Sequence, residues 1–281
     1  VSFTYKSLLI QMKIFKNKTK LLREISNIKD IAFVPTMGSL HKGHLSLIKK
    51  AKKKSENILV SIYVNPKQFS LNSDLQKYPR KINKDIALLK KMKIKYLYLP
   101  TYSDIYLFKP KTQIYLDQFS KKLCGKFRPG HFLGVINVVN RFIEIIKPRL
   151  IFLGLKDFQQ LALIKLHLKK NKITTKIVSC PTIRGGNGIA LSSRNDKLDN
   201  SQINIAGKVY RYLKKNKKNI FNESLKKKQL TINKIIKFGI NKVDYLEFVN
   251  LRTLKKIKTK KDKFNIFIAY YIDKIRLIDN L

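Results

Sequence analysis

Residues 31–44 read IAFVPTMGSLHKGH, an apolar run that leads through a glycine turn to two histidines three residues apart. Apolar residues recur at helical spacing after the second histidine, which predicts a helix. The first turn of a helix has unpaired backbone N–H groups and carries the positive end of the helix dipole, so it attracts anions. His41 and His44 would add N–H donors there, and Gly43 lacks a side chain where a ligand would approach. The stretch therefore predicts a strand, a turn and a helix N-terminus that contacts a nucleotide phosphate.

The pattern of this stretch recurs along the first two thirds of the chain. Further apolar runs typical of buried parallel strands lie at 58–64, 96–99, 150–153 and 176–178. Helical patterns span 45–54, 85–92, 135–146 and 159–169. Strands that alternate with helices of this length predict an α/β fold with a doubly wound parallel sheet. Such sheets bind ligands beyond the carboxyl ends of their strands.

Two more of these strand ends carry polar clusters. NPKQF at 65–69 follows one strand, and GLKDFQQ at 154–160 follows another, so we expect both at the edge that holds the histidines. Lys156 could supply a phosphate charge, although a Lys-Asp pair in a loop is more often a surface pair. Gln68 and Gln160 each have a donor and an acceptor and could bind a hydroxyl beside a carbonyl, although glutamines are usually solvated.

The order of helical and strand patterns changes after about residue 185. Lysine-rich helical patterns at 199–217 and 225–238 precede strand patterns at 243–250, 264–271 and 275–278. We expect a Rossmann-like domain at 12–184 and a smaller α+β C-terminal domain at 185–281 that closes over it. Residues 1–11 are expected to be a disordered extension, with Met12 as the natural start.

Two further segments offer arginines. SSRN at 192–195 follows the glycines at 185, 186 and 188, which predicts a mobile lid with a phosphate clamp; the alternative is a helix cap with a solvated arginine. RPGHF at 128–132 predicts a structural turn, and the alternative is an anion contact by Arg128 or His131.

The net charge of +44 comes from 61 lysines and arginines against 17 acidic residues. Only ten of the basic residues are arginines, and lysine, asparagine and isoleucine share A/T-rich codons, so biased composition explains the charge without a specific nucleic-acid partner. The lysines are also spread along the chain.

Cys124 and Cys180 are isolated, which predicts no metal motif and a reducing, cytoplasmic location. No apolar run reaches the roughly 18 residues of a membrane span, so no membrane partner is expected.

Taken together, these motifs resemble the pantoate–β-alanine ligase family of H-x-G-H nucleotidyltransferases, which is related in fold to class I aminoacyl-tRNA synthetases. The resemblance runs from about Met12 to the end of the chain. It rests on PTMGSLHKGH at 35–44, SIYVNPKQF at 61–69, YPR at 78–80, RPGHF at 128–132, GLKDFQQL at 154–161 and LSSRN at 191–195, with VDYLE at 243–247 and RLIDN at 276–280 as weaker support.

The resemblance implies a two-step reaction, in which ATP adenylates (R)-pantoate and β-alanine then displaces AMP to give pantothenate. It implies Mg²⁺ that arrives with ATP, a homodimer, and His44, His41 and Lys156 as catalytic residues. It implies that Gln68 and Gln160 bind pantoate and that Gln68 also binds β-alanine. The ATP-binding residues that it implies are Met37, Gly38, Ser39, Leu40, His41, Lys42, Gly43, His44, Gly154, Leu155, Lys156, Asp157, Ile183, Leu191, Ser192, Ser193 and Arg194.

The chain departs from the family pattern at three places, each of which removes negative charge near the expected ATP site. Leu155 stands where the family commonly has glutamate, Lys84 stands where an acidic residue often precedes Asp85, and the loop at 185–188 reads GGNG where an acidic residue is usual. These changes raise the question of metal affinity and lid docking more than of the chemistry itself.

Two other hypotheses differ in substrate or in class. One is another H-x-G-H ligase that adenylates a different carboxylic acid; the two glutamines in their family motifs favour pantoate. The other is a nucleic-acid-binding protein on a decayed enzyme scaffold, which would require lost catalytic residues and a clustered basic face. The catalytic set is intact, so the ligase is the leading hypothesis.

Overall fold

Six parallel strands form the central sheet of the computed structural model, which describes residues 11–70, 72–220, 225–257 and 263–281. They are β1 Lys13–Phe15, β2 Ile31–Thr36, β3 Asn57–Ile62, β4 Tyr96–Tyr98, β5 Leu150–Gly154 and β6 Lys176–Cys180. Their order across the sheet is β1-β4-β3-β2-β5-β6. The chain winds outward from β2 to β4 and then returns to β5 on the other side of β2, so the order reverses between β2 and β5. This doubly wound topology confirms the predicted fold class.

Helices cover both faces of this sheet. They are α1 Lys18–Ile25, α2 Lys42–Lys52, α3 Asn72–Gln76, α4 Ile82–Lys91, α5 Tyr102–Tyr106, α6 Cys124–Phe127, α7 His131–Ile146 and α8 Phe158–Lys170. Side chains alternate along each strand. In β2, Phe33 packs into a core with α1, α7 and α8, whereas Val34 packs into a second core with α2 and α4. Both faces of the strand are therefore buried, as its continuous apolar run predicts.

The N-terminal elements β1 and α1 have no counterpart in the sequence predictions. β1 is only three residues long and two of them are exposed, so it carries no hydrophobic period. α1 begins after Asn17, whose side chain accepts hydrogen bonds from the N–H groups of Thr19 and Lys20. Of the predicted extension at 1–11, residues 1–10 lie outside the described residues. Met12, which directly precedes β1, is buried.

The C-terminal third forms a second, antiparallel sheet with two helices against it. Its elements are α9 Asn200–Ile220, α10 Leu225–Ile236, β7 Lys242–Asn250, β8 Phe264–Ile272 and β9 Ile275–Asn280, with strand order β7-β8-β9. Buried aliphatic side chains such as Leu213 and Ile268 form a separate core here. Hydrogen bonds from Asn280, at the end of β9, reach the loop that follows β5 of the first sheet. Within the described ranges, no helix has the length and apolar character to cross a bilayer.

Candidate active site

A cleft opens where β2 and β5 end side by side, at the point where the strand order reverses. This is the place where open α/β sheets bind ligands, because the loops that follow the two strands diverge there. The turn after β2 forms one wall of the cleft, and the loop after β5 forms the opposite wall. Residues 181–194 and the end of β9 close it from the side of the second sheet.

The turn after β2 is held by a buried carboxylate from α4. Gly38 and Ser39 adopt left-handed backbone conformations, with φ of 80° and 50°. Asp85 accepts hydrogen bonds from the N–H groups of Ser39 and Leu40, both at 2.8 Å. The hydroxyl of Thr36 accepts a third from the N–H of Gly38 at 3.2 Å. These bonds satisfy the buried donors of the turn and fix where α2 begins.

His41 and His44 lie at the N-terminus of α2 and stack, with ring centroids 4.1 Å apart. The Nδ1 atom of His41 accepts from the N–H of Gly43 at 3.1 Å, and that of His44 accepts from the N–H of His41 at 3.4 Å. A backbone N–H can only donate, so both Nδ1 atoms are unprotonated and each neutral ring carries its proton on Nε2. Each histidine thus supplies one N–H donor.

Both rings stay neutral near pH 7. Burial lowers the pKa of His41 to about 4, assisted by the charge of Lys156. Burial and the neighbouring His41 lower the pKa of His44 to about 3. The resemblance implied a catalytic role for His44, and a ring with this pKa acts in the free enzyme as a neutral hydrogen-bond donor.

The side chain of His41 requires a glycine at position 43, whereas the sequence suggested only that Gly43 leaves room for a ligand. A Cβ atom on Gly43 would lie 2.7 Å from Cε1 and 2.8 Å from Nδ1 of His41. The glycine therefore makes room for the imidazole that caps the helix. It also lines the cleft, so the expected ligand approach is compatible with this role.

The glutamine after β3 is fixed by a buried network. The Asn65 side chain donates to Gln68 Oε1 at 3.2 Å and to the carbonyl of Gly134 at 3.1 Å. It accepts from the hydroxyl of Tyr106 at 2.8 Å. Gln68 Nε2 lies 2.8 Å from the sulfur of Met37. Asn65, Gln68 and Met37 all line the cleft, so the amide of Gln68 is held beside the histidine turn.

The RPGHF segment supports the same glutamine and adds a cation. His131 Nδ1 lies 2.7 Å from the backbone carbonyl of Gln68, and Arg128 Nη1 lies 2.9 Å from His131 Nε2. The guanidinium must donate, so His131 is neutral with its proton on Nδ1, which donates to Gln68. Burial and Arg128 lower the pKa of His131 to about 3. Arg128 lines the cleft, so the segment is both a structural turn and a source of positive charge.

The loop after β5 is positioned from the second sheet. Asn280, at the end of β9, donates from Nδ2 to the carbonyls of Leu155 and Lys156 at 2.9 and 2.8 Å. Lys156 and Asp157 form an ion pair at 3.3 Å. Burial disfavours the ionised form of Asp157, but Lys156 and Arg194 outweigh that effect and lower the pKa of its carboxyl group. The side chain of Leu155 packs on a hydrophobic core, so the glutamate-to-leucine departure leaves the backbone anchor intact.

The segment expected to be a mobile lid is anchored at several points. Arg184 pairs with Asp279 through both guanidinium nitrogens, at 2.6 and 2.9 Å, and stacks on Tyr210 with 3.8 Å to the ring centroid. Asn187 donates to the carbonyl of Ile203 in α9 at 3.0 Å. The structure thus gives the glycine-rich loop specific contacts with the second sheet and its helices.

A short 3-10 helix spans 193–197 and Ser192 caps it, as the alternative expected. That alternative also expected a solvated arginine, whereas Arg194 is half-buried. This helix also touches the first sheet's side of the cleft. The hydroxyl of Ser193 lies 3.4 Å from that of Tyr78, and Asp196 pairs with Lys81 at 2.5 Å. Arg194 donates from Nη1 to the carbonyl of Arg276 at 3.0 Å. The two serines and Arg194 line the cleft.

Most of the residues that the sequence singled out therefore meet in one place. The cleft is lined by Met37, His41, Gly43, His44, Gln68, Gly154, Lys156, Asp157, Gln160, Ile183, Leu191, Ser192, Ser193 and Arg194. The remaining residues of the expected ATP set, which do not line it, are Gly38, Ser39, Leu40, Lys42 and Leu155. Ser39 and Leu40 are buried and shape the turn through their backbone N–H groups, whereas Lys42 is exposed.

Sequence reasoning missed the residues that hold this site in place, namely Asp85, Asn65, Tyr78 and Asn280. Each lies in a segment that the sequence pointed out, but most of the groups that it contacts are distant in the chain. Oxygen ligands for a metal are sparse: in the described ranges, no group of three or more His, Cys, Asp or Glu side chains could hold an ion. Two carboxylates line the cleft, Asp157 and Asp279, and they pair with Lys156 and Arg184.

Comparison with known proteins agrees with this geometry. The family model described as pantoate-beta-alanine ligase matches residues 11–281. A pantothenate synthetase of Francisella tularensis subsp. novicida is 42% identical, over 95% of this chain and 96% of its own. One from Pseudothermotoga lettingae is 37% identical, over 97% and 98%.

Solved structures show the same likeness in three dimensions. The pantoate-beta-alanine ligase of Francisella tularensis, complexed with beta-gamma ATP and beta-alanine, has a TM-score of 0.82 and 39% identity, covering 96% of this chain and 97% of its own. The pantothenate synthetase of Thermus thermophilus has a TM-score of 0.87 and 30% identity, covering 96% and 99%. With a family model that spans nearly the whole chain, a shared fold and a cleft at the expected strand ends, this chain belongs to the pantoate–β-alanine ligase family.

Proposed function

We propose that this cleft condenses (R)-pantoate with β-alanine at the expense of ATP. In the first step a carboxylate oxygen of pantoate attacks the α-phosphorus of ATP, and pyrophosphate leaves with the bond electrons. In the second step the amine of β-alanine attacks the acyl carbon of pantoyl-adenylate. The acyl–oxygen bond breaks, AMP leaves and the nitrogen loses a proton, which gives pantothenate.

The observation that carries this proposal is the set of donors around the N-terminus of α2. The Nε2 protons of the two neutral histidines, the ammonium of Lys156 and the guanidinium of Arg194 line one cleft, where a nucleotide phosphate would meet them. Negative charge grows on the phosphates as pantoate attacks, and fixed donors stabilise that charge without reorganising. The neutral imidazoles lower the barrier to adenylation as hydrogen-bond donors. This role does not require them to transfer a proton.

Gln68 and Gln160 account for the acid substrate. Pantoate has two hydroxyl groups near its carboxylate, and each glutamine amide can donate to one oxygen while it accepts from another. The network around Asn65 fixes the orientation of Gln68, which lowers the entropy lost on binding. The anchored 184–194 segment would exclude water, which protects the reactive adenylate from hydrolysis.

The nucleotide would be bound as its magnesium complex. Mg²⁺ keeps several waters and takes substrate phosphates with one or two carboxylates, and Asp157 is a carboxylate in position to contribute. We further propose a division into domains at 12–184 and 185–281, with the second as a lid, a homodimeric assembly and a cytoplasmic location. The family resemblance and the two separate cores support the domain division.

Transfer of oxygen tests the adenylate directly. Pantoate labelled with ¹⁸O in its carboxylate is incubated with ATP and β-alanine, and the AMP is examined by mass spectrometry. Attack of the carboxylate on the α-phosphorus places one labelled oxygen in AMP. Unlabelled AMP together with labelled pyrophosphate, or no consumption of pantoate at all while other carboxylic acids react, would refute the proposal.

A further inference from the structure

The cleft contains more positive charge than the expected ATP contacts use. Four lysine and arginine side chains line it: Arg128, Lys156, Arg194 and Arg276. The lining carboxylates, Asp157 and Asp279, are already paired with Lys156 and Arg184. Arg276 is paired with Asp244 at 2.8 Å. Arg128 and Arg194 form no ion pair within the described parts of the chain.

The two unpaired arginines lie on different elements with different neighbours. Arg194 follows the two serines of the 3-10 helix, beside Tyr78, where a phosphate clamp was expected. Arg128 precedes α7 and lies against Gln68, with Nη2 3.5 Å from its backbone carbonyl. An anion bound at Arg128 is therefore next to Gln68, the glutamine expected to bind pantoate and β-alanine.

The surroundings of Arg128 orient its guanidinium without neutralising it. Its other partner is the neutral ring of His131, at 2.9 Å. Burial and the like charges of Arg194 and Arg276 lower the pKa of Arg128 to about 10, so the protein holds this charge against an electrostatic cost. A half-buried guanidinium that is fixed in place and lacks a counterion is suited to bind a carboxylate in a bidentate manner.

The reaction supplies one carboxylate that needs such a partner throughout. This inference rests on the proposed function. In that reaction the carboxylate of pantoate loses its charge when it is adenylated, whereas the carboxylate of β-alanine stays ionised from binding to product release. We propose that Arg128 binds the carboxylate of β-alanine and so selects an amine nucleophile that carries an acid group. The amine, two methylene groups away, would then reach past Gln68 toward the acyl carbon. Arg128 acts as a specificity determinant by this account.

A matched pair of nucleophiles tests this assignment. β-Alaninamide has the same amine and chain as β-alanine but a neutral amide in place of the carboxylate. The kcat/KM of each is measured in wild type, Arg128→Gln, Arg128→Lys and the control Arg252→Gln, which removes an exposed arginine from a turn. ATP–pyrophosphate exchange with pantoate alone is measured in parallel.

We expect wild type to prefer β-alanine by about 10- to 100-fold, the strength of a hydrogen-bonded charge pair. Arg128→Gln should lose most of that preference through a lower kcat/KM for β-alanine alone, Arg128→Lys should keep part of it, and Arg252→Gln should match wild type. Should the Gln variant not fold, the Lys variant and the wild-type preference decide the question.

Three results would overturn the assignment. Wild type could use the two nucleophiles equally well. Arg128→Gln could slow both nucleophiles by the same factor, which would make Arg128 a positioning residue for His131. It could instead raise the KM for pantoate with an unchanged nucleophile preference, which would make pantoate the anion bound. Wild type without any exchange would refute the proposed function itself, and this assignment with it.

Discussion

Replacing Asp85 with asparagine should destabilise the protein and weaken ATP binding together. The carboxylate is 1% exposed and accepts from two backbone N–H groups at 2.8 Å. Asparagine keeps one acceptor oxygen and turns an amide N–H₂ toward a buried backbone donor. A hydrogen bond to a charged group contributes about 1.5–3 kcal/mol, and a buried donor left without a partner costs about 1–3 kcal/mol. We therefore expect a loss of about 3 kcal/mol in the free energy of unfolding.

Thermal unfolding followed by circular dichroism measures this loss, and steady-state kinetics measures the KM for ATP. A loss of about 3 kcal/mol corresponds to a Tm lower by roughly 6–12 °C for a chain of this size. The control is Asp30→Asn, because the side chain of Asp30 is 46% exposed and its pair with Arg149 at 2.6 Å is of the kind that contributes less than about 1 kcal/mol. If Asp85→Asn has the same Tm as the control and keeps the wild-type KM for ATP, the carboxylate does not organise the turn.

Three further predictions concern the histidines, the second glutamine and pH. His44→Ala should lower the rate of pyrophosphate release by about 10²–10³-fold with little change in Tm, because it removes one donor to the growing charge; near-normal release would contradict its role. Gln160→Ala should raise the KM for pantoate more than that for ATP, and an unchanged pantoate KM would remove Gln160 from the site. Stability should fall as pH drops from 6.5 toward 4, because the unfolded chain protonates histidines whose folded pKa values are about 4 for His41 and about 3 for His44 and His131. Urea unfolding between pH 7 and 4.5 measures that slope, and a free energy that is constant from pH 7 to 5 would mean that the rings are not held neutral.

The sequence predicted the central strands and the helix that carries the histidines because their signals are local. The run at 31–34 is continuous and apolar, and a glycine turn marks its end. The helix after it begins at Lys42, three residues before the predicted start, because the side chain of His41 caps it. A histidine cap gives no signal in hydrophobic spacing, so periodicity placed the start at the first apolar residue.

The residues that position the site could not be predicted in this way because they act across long stretches of chain. Asp85 supports a turn 45 residues away, and Asn280 anchors a loop 124 residues away. Each belonged to a segment that the sequence pointed out, but only the folded chain shows what their polar atoms contact. Arg128 is an intermediate case, since its motif suggested either a turn or an anion contact and the geometry accommodates both.

In the proposed reaction, pantoate is activated before the amine takes part. Rapid-quench measurement of pyrophosphate, with ATP and pantoate in excess over the protein, tests it most directly. We expect a burst of one pyrophosphate per active site without β-alanine, and continuous turnover only when β-alanine is added. Pyrophosphate formation that requires β-alanine from the first turnover, in folded protein that binds ATP, would contradict it.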